Sequence, residues 1–300
     1  YNIDVTKLEE AYSEKTKAVM IAHTLGNPFD LNAVKEFCDR HGLWLVEDNC
    51  DALGSEYTMK DGKTHFTGTI GDIGTSSFYP PHHMTMGEGG AVYTTNPLLH
   101  RIIRSMRDWG RDCICPPGQD NYCGHRFDKQ FGELPLGYDH KYVYSHLGYN
   151  LKATDLQAAV GCAQLEKFPS FVERRRANFA RLRKALEGCE GKLILPEACA
   201  NSNPSWFGFL ITCKEGVDRN EVVRYVEQHG VQTRMLFSGN LIKHPCFDEM
   251  RASGTGYRVV GDLTNTDRIM RDTFWVGVYP GMTDEMIDYM AKMIREAVQA

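Results

Sequence analysis

Leu43-Trp44-Leu45-Val46-Glu47-Asp48-Asn49-Cys50-Asp51-Ala52-Leu53-Gly54 is the stretch on which the reading of the fold turns. An apolar run of strand length leads directly into two carboxylates, so the strand ends where the chain leaves the interior. Upstream, Lys17 to His23 is a second apolar run of strand length. Between the two, Asp30 is placed to cap a helix through Leu31, Val34 and Phe37, and Gly42 to close it. Strand, helix and strand in this order predict a parallel βαβ unit of two buried strands. Glu47 and Asp48 then stand at the carboxyl end of a core strand, where open α/β sheets place their ligands. Taken alone, Asp48 reads equally well as a turn former.

Working outward, Ile73 to Tyr79 predicts a third strand, and Gly87-Glu88-Gly89-Gly90 a turn into a strand at Ala91-Val92-Tyr93. Pro97 suits the first turn of a helix through Leu98, Ile102, Ile103 and Met106. From Asp112 to about Tyr144 the chain is rich in Gly, Pro and aromatic residues and has no period. A loop of that length in a compact domain is expected to carry function. Two helices follow, Ala153 to Leu165 and Pro169 to Leu186. Arg174, Arg175, Arg176, Arg181 and Arg183 read as the solvated face of the second. The remainder predicts strand (Trp206 to Cys213), helix (Asp218 to His229), strand (Val231 to Arg234), helix, strand (Phe274 to Val278) and helix (Thr283 to Val298). This is a second, smaller α/β unit, with a boundary near Glu166. Residues 1–165 are thus read as the remainder of a large domain with an irregular loop at 112–144, and 166–300 as a small carboxyl-terminal domain.

The chain has 300 residues and a net charge of -5 with both signs interspersed, and no basic run or basic-aromatic stripe, which argues against nucleic acid. No apolar stretch reaches the ~18 to 20 residues of a membrane span. No signal peptide is recognised, so a cytoplasmic setting is expected. Ten cysteines are then expected to be reduced thiols, several of them buried as small hydrophobes. The opening Tyr1-Asn2-Ile3-Asp4 reads as the start of a fragment.

The motif Val46-Glu47-Asp48-Asn49-Cys50-Asp51-Ala52-Leu53-Gly54 is followed by Ser76-Ser77-Phe78-Tyr79-Pro80-Pro81-His82-His83 and Gly87-Glu88-Gly89-Gly90. Gly148-Tyr149-Asn150, Asp155-Leu156-Gln157-Ala158-Ala159 and Thr233-Arg234-Met235-Leu236-Phe237-Ser238-Gly239-Asn240-Leu241 extend the pattern along the chain. Together these resemble the DegT/DnrJ/EryC/StrS group of sugar aminotransferases. The resemblance implies an aspartate-aminotransferase-like fold, with a large mixed-sheet α/β domain and a small carboxyl-terminal one. It implies a pyridoxal-phosphate-type cofactor, with Asp48 on the pyridinium nitrogen, Ser77 on the phosphate, and Asn150 reaching a neighbouring subunit's phosphate in a homodimer. In the family, a preceding amino-terminal part carries further phosphate and ring contacts.

One position departs from the pattern. His82 stands where the family has its Schiff-base lysine, and histidine cannot hold the cofactor covalently. It can still act as a base near neutral pH. The resemblance then implies pyridoxamine phosphate, proton removal by His82, and loss of the C3 hydroxyl of a 4-keto sugar without amino transfer. Asp51 is expected to assist catalysis beside the cofactor. Tyr79 reads either as a proton-steering hydroxyl or as a packed aromatic. Arg234 and Asn240 are expected substrate contacts, and His83, His125, His140 and His146 ordinary polar or structural histidines.

Two branches share this histidine. One is metal-free and acts on GDP-4-keto-6-deoxymannose. The other carries a 2Fe–2S cluster, acts on CDP-4-keto-6-deoxyhexose in 3,6-dideoxyhexose synthesis for surface polysaccharide, and takes single electrons from a flavin, iron–sulfur NAD(P)H-dependent reductase. Cys113, Cys115 and Cys123 form Cys-x-Cys-x7-Cys in the irregular loop. By resemblance, these with Cys50 make the four thiolates of a cluster. The 62 residues between Cys50 and Cys113 exceed the family spacing, with the excess expected in a loop insertion at Tyr57 to Thr69. A structural zinc site or unliganded thiols are the alternatives for the triplet. A sugar-binding scaffold without catalysis is the alternative for the whole chain.

Overall fold

The computed structural model describes residues 1–116 and 118–299. A short helix α1 (Leu8–Ala11) precedes β1 (Ala18–Ala22), α2 (Leu31–His41) and β2 (Trp44–Asp48). The signals that predict α2 are all used: Asp30 accepts from Ala33 N, and Gly42 turns left-handed at its end. β3 (Glu56–Thr58), β4 (Thr64–Phe66), β5 (Ile73–Ser77) and β6 (Gly90–Tyr93) follow. β1, β2 and β5 are parallel, and β6 returns antiparallel, in the order β1-β2-β5-β6.

The core of this unit lies on one face of the sheet, where α1 and α2 bring Leu8, Leu31, Val34 and Phe37 onto Leu43, Leu45 and Tyr57. The strands are not buried on both sides as their apolar runs predict. Met20, Trp44 and Val92 are exposed, because among the described residues no helix covers them. The segment Tyr57 to Thr69 is also not a plain loop insertion. It folds as the β3–β4 hairpin, and β3 pairs on its other side with β8 (Ser202–Asn203). It therefore ties the first unit to the second.

α3 (Pro97–Arg107) begins with Asn96 as its cap and Pro97 in its first turn. Among the described residues, the chain then runs irregularly to Thr154, interrupted by one 3-10 turn at His140–Tyr142. α4 (Asp155–Ala185) opens with a capping box made by Thr154 and Gln157. It is one continuous helix where two are predicted, with Pro169 inside it. A proline costs such a helix about 3 kcal/mol. Burial of Val172, Phe179 and Leu182 beyond it offsets that cost. The expected division near Glu166 falls inside this helix.

The second unit comprises β7 (Leu193–Ile194), β8, β9 (Gly208–Cys213), α5 (Arg219–Gln228), β10 (Thr233–Arg234), α6 (Asp248–Ser253), α7 (Thr264–Asp272), β11 (Thr273–Gly277) and α8 (Asp284–Gln299). Its sheet is antiparallel, in the order β10-β11-β9-β7. Phe179, Leu182, Phe209, Ile211, Phe274, Ile287 and Ile294 fill the space between that sheet and α4, α5 and α8. The arginines of α4 are not a solvated face throughout. Arg175 is buried, Arg174 and Arg181 reach Asp284, and Arg176 donates to Pro204 O and Gly54 O. A helix wedged between two units has two inward faces, and the long aliphatic stems of arginine pack there.

Candidate active site and thiol loop

Glu47 and Asp48 are neighbours in β2 and so point to opposite faces. Glu47 is fully buried. It accepts from His23 Nε2 at 2.9 Å, Gly68 N at 2.7 Å and Ile70 N at 2.8 Å. Burial opposes its charge, yet the hydrogen bonds from His23, Gly71 and Gly68 hold its carboxyl below the usual range. Glu47 thereby anchors the turn that leads into β5. Asp48 is half-buried at the sheet edge, and its Oδ1 accepts from Cys50 N at 3.0 Å and Thr75 Oγ1 at 3.3 Å. Cys50 Sγ lies 3.8 Å from Thr75 Oγ1. Burial first, and then Asp48, push its thiol up to about 12.

Asp51 Oδ2 accepts from Leu25 N at 3.3 Å. Its Oδ1 stands 3.4 Å from His82 Nδ1. That nitrogen is buried and makes no well-aligned hydrogen bond, so the approach is electrostatic. Tyr79 meets His82 edge-on with ring centres 6.2 Å apart, and is half exposed. Ser77 Oγ accepts from Tyr79 N at 3.3 Å. The carboxyl ends of β2 and β5 thus carry Asp48 and Ser77, and the segments that follow bring Asp51 and Tyr79 to His82.

The wall behind His82 comes from the second unit and is not visible in the motifs. Phe207 lies 5.4 Å from His82 between ring centres, and Trp275 packs tilted against Phe207 at 5.5 Å. Gly26, at φ 88°, permits this approach, since a Cβ there would collide with the Ser205 carbonyl. His83 is buried and donates through Nε2 to Ser205 O at 2.8 Å, and burial holds its pKa well below the ordinary value. Arg175 donates to Trp206 O at 3.2 Å. Burial lowers its pKa to about 10, opposed by Asp51. The helical period of α4 could have marked Arg175 as inward-facing, but its neighbours in sequence gave an equally charged pattern.

Other expected site residues lie elsewhere. Asn150 is exposed, bridges Asp108 through the backbone, and accepts from Lys152 Nζ at 3.0 Å. Arg234 donates to its neighbour Thr233 O at 2.8 Å. Asn240 is buried and donates to Asp267 Oδ1 at 2.8 Å.

The thiols divide. Cys113, Cys115 and His140 bring their donor atoms within 4.8 Å of one another. Cys123 Sγ lies 3.5 Å from His140 Nε2. Among the described residues, Cys50 does not belong to that group. His140 is buried and lies against these thiols. Burial raises the Cys113 thiol, while the Cys123 N–H draws the Cys115 thiol down. A cleft of about 870 Å³ opens between α3 and this loop. Gly110, at φ 80°, passes so close to His146 O that no side chain fits, which fixes where the loop leaves α3. Arg111 then lies over the Trp109 ring at 4.5 Å.

The donors present suit the cofactors that the motifs imply. Asp48 offers a half-buried carboxylate at the sheet edge, His82 a buried nitrogen without a hydrogen-bond partner, and the loop the Cys113 and Cys115 thiols beside His140, with Cys123 Sγ 3.5 Å from that histidine. No helix is long and apolar enough to cross a membrane among the described residues.

The DegT/DnrJ/EryC1/StrS aminotransferase family matches residues 1–295. The chain is 57% identical over 298 residues to the lipopolysaccharide biosynthesis protein RfbH of Salmonella typhimurium, covering 99% of this chain and 66% of that protein. It is 52% identical over 300 residues to the dTDP-4-dehydro-2,6-dideoxy-D-glucose 3-dehydratase of Saccharopolyspora spinosa, covering 99% of this chain and 63% of that one. The chain thus spans just under two thirds of the length of these two relatives. In fold it is similar to an E. coli GDP-4-keto-6-deoxy-D-mannose-3-dehydratase with bound hydrated PLP, at TM-score 0.80 and 24% identity, covering 98% of this chain and 71% of that one. This is the aminotransferase-like fold expected from the motifs.

Proposed function

The chain belongs to the DegT/DnrJ/EryC1/StrS aminotransferase family, and from that premise we propose that it carries the active site of a pyridoxamine-phosphate-dependent 3-dehydrase of nucleotide-linked 4-keto-6-deoxyhexoses. The observation that carries the reading is His82 set against Asp51 at the carboxyl edge of the sheet, where a transaminase of this family needs a lysine. RfbH and the Saccharopolyspora dehydratase support C3 chemistry on such sugars in lipopolysaccharide and related dideoxysugar synthesis. The resemblance favours a CDP-linked sugar.

Pyridoxamine phosphate, when bound, supplies an electron sink through its protonated ring nitrogen. Asp48 would keep that nitrogen protonated, and Ser77 would hold the phosphate. His82, flanked by Asp51 on Nδ1, exchanges protons through Nε2, and Tyr79 closes the outer side of the same pocket. Phe207 excludes water from the ring's inner face. Asn150 serves a neighbouring copy's phosphate in a homodimer. Arg234 and Asn240 enter as substrate contacts, Asn240 only if its bond to Asp267 opens. Cys113, Cys115 and Cys123, with Cys50, would hold a 2Fe–2S cluster that receives single electrons from a flavin, iron–sulfur NAD(P)H-dependent reductase.

Cys50, turned to Asp48 and Thr75, favours one second reading: a metal-free dehydratase in which the loop thiols are structural. Iron and acid-labile sulfide per chain, with a visible spectrum, after anaerobic reconstitution of the parent and of Cys113→Ser separate the two. About two irons and two sulfides, lost in the variant, support the cluster-dependent enzyme. No iron with pyridoxamine phosphate still bound supports the metal-free one.

A further inference from the structure

His140 is the one member of the thiol group with no role so far. It is 2% exposed, in a loop that is otherwise largely open to solvent. A buried imidazole must find partners for its nitrogens or lose hydration without return. Its Nδ1 has none, and its Nε2 faces Cys123 Sγ at 3.5 Å.

The surrounding chain holds it there. Arg126 grips Asp139 with two parallel hydrogen bonds, Nε to Oδ1 at 3.0 Å and Nη2 to Oδ2 at 2.7 Å. Asp139 in turn caps the short helix that begins at His140, and His140 N donates to Arg126 O at 3.1 Å. The arm carrying Cys123 and the arm carrying His140 are therefore clamped together by a planar, bidentate pair.

We propose that His140 is a positioning residue of the thiol centre, donating its Nε2–H to the Cys123 thiolate and so setting how readily a cluster held there takes up an electron. The inference rests on the cluster reading above. A hydrogen bond to a ligating sulfur withdraws negative charge from it. The reduced cluster carries one more negative charge than the oxidised one, so the bond strengthens on reduction. Removing the donor lowers the reduction potential while leaving the cluster's sulfur ligands in place. The electron comes from the reductase, and no bond to carbon is made or broken at this residue.

The test uses the whole chain, reconstituted anaerobically, as parent, His140→Phe and His140→Gln. Iron and sulfide are counted in each, and the reduction potential is titrated with a mediated one-electron reductant. The expected result is iron content like the parent in both variants. His140→Phe then shifts the reduction equilibrium about tenfold toward the oxidised cluster, about 59 mV for one electron. His140→Gln, which keeps an N–H donor, restores most of the shift. An unchanged potential in an iron-replete His140→Phe, or in His140→Gln and His140→Phe alike, overturns the proposal. Nitrogen hyperfine coupling of a directly bound imidazole in the parent also overturns it, because His140 would then be a ligand. A parent without iron overturns the cluster reading itself, and is recognised before any variant is compared.

Discussion

The edge of the first sheet and the loop after α3 are the two chemically dense regions of this chain, and they are built by opposite means. At the sheet edge, Asp48 and Ser77 end parallel strands whose register is set by backbone hydrogen bonds, with Ala22 opposite Asp48 and Asp48 opposite Thr75, and Asp51 and His82 follow in the turns beyond them. Side-chain direction there follows from the strand period, which is why adjacent carboxylates divide into an anchor, Glu47, and a ligand candidate, Asp48. The loop has no such ladder. Its donors are held by local devices: Gly110 against His146, the Arg126–Asp139 clamp, and Arg111 over Trp109. A site on a sheet edge inherits its geometry from the core, whereas a site in a loop must assemble its own.

That contrast can be broken or sharpened by substitution. The largest effect is expected at His82: His82→Asn should reduce dehydration about 10²- to 10⁴-fold with the fold and cofactor retained, read as product formed per chain. A variant with near-parent turnover would remove His82 from proton transfer. Next comes Glu47→Ala, which strips a buried hydrogen-bonded carboxylate from the anchor and should cost about 3 kcal/mol in urea unfolding. The same residue sets an acid limb. Its folded pKa lies below the ordinary value, so the unfolded chain takes up a proton first as pH falls. Its contribution is fully present above the ordinary glutamate range and is lost as pH falls through the folded pKa. Glu47→Gln should flatten that part of the stability–pH curve, and an unaltered acid limb would assign it to other carboxylates. Gly26→Ala should cost about 2 kcal/mol, because it strains a left-handed residue against Ser205, and should loosen Phe207 from His82. Smallest in global terms is Arg126→Ala, which opens a half-buried clamp within the loop. Urea midpoints should not move, while iron retained after reconstitution falls. If the midpoint moves with the iron, the loop is not an independent assembly.

Much of both regions was legible before the structure. The cap of α2, Pro97 in the first turn of α3, the end of β2 at Asp48, and the loop between α3 and α4 follow from short-range pattern, because propensity, capping and strand period act over a few residues; the candidate set Asp48, Asp51, Ser77, Tyr79 and His82 came from the family resemblance. The continuity of α4 through Pro169 did not, since it depends on packing beyond the proline.

By itself, then, the sequence determined the parallel β1–α2–β2 unit, the strands at β5 and β6, the histidine in place of a lysine, and the spacing of three thiols. Only the tertiary structure decided which carboxylate is buried, that the 57–69 segment pairs with β8, that Phe207 backs His82 with Arg175 over Phe207, and that His140 rather than Cys50 lies among the thiols. Each of these joins residues far apart in the chain. Such contacts are selected by burial and shape across the whole molecule, and no local period records them.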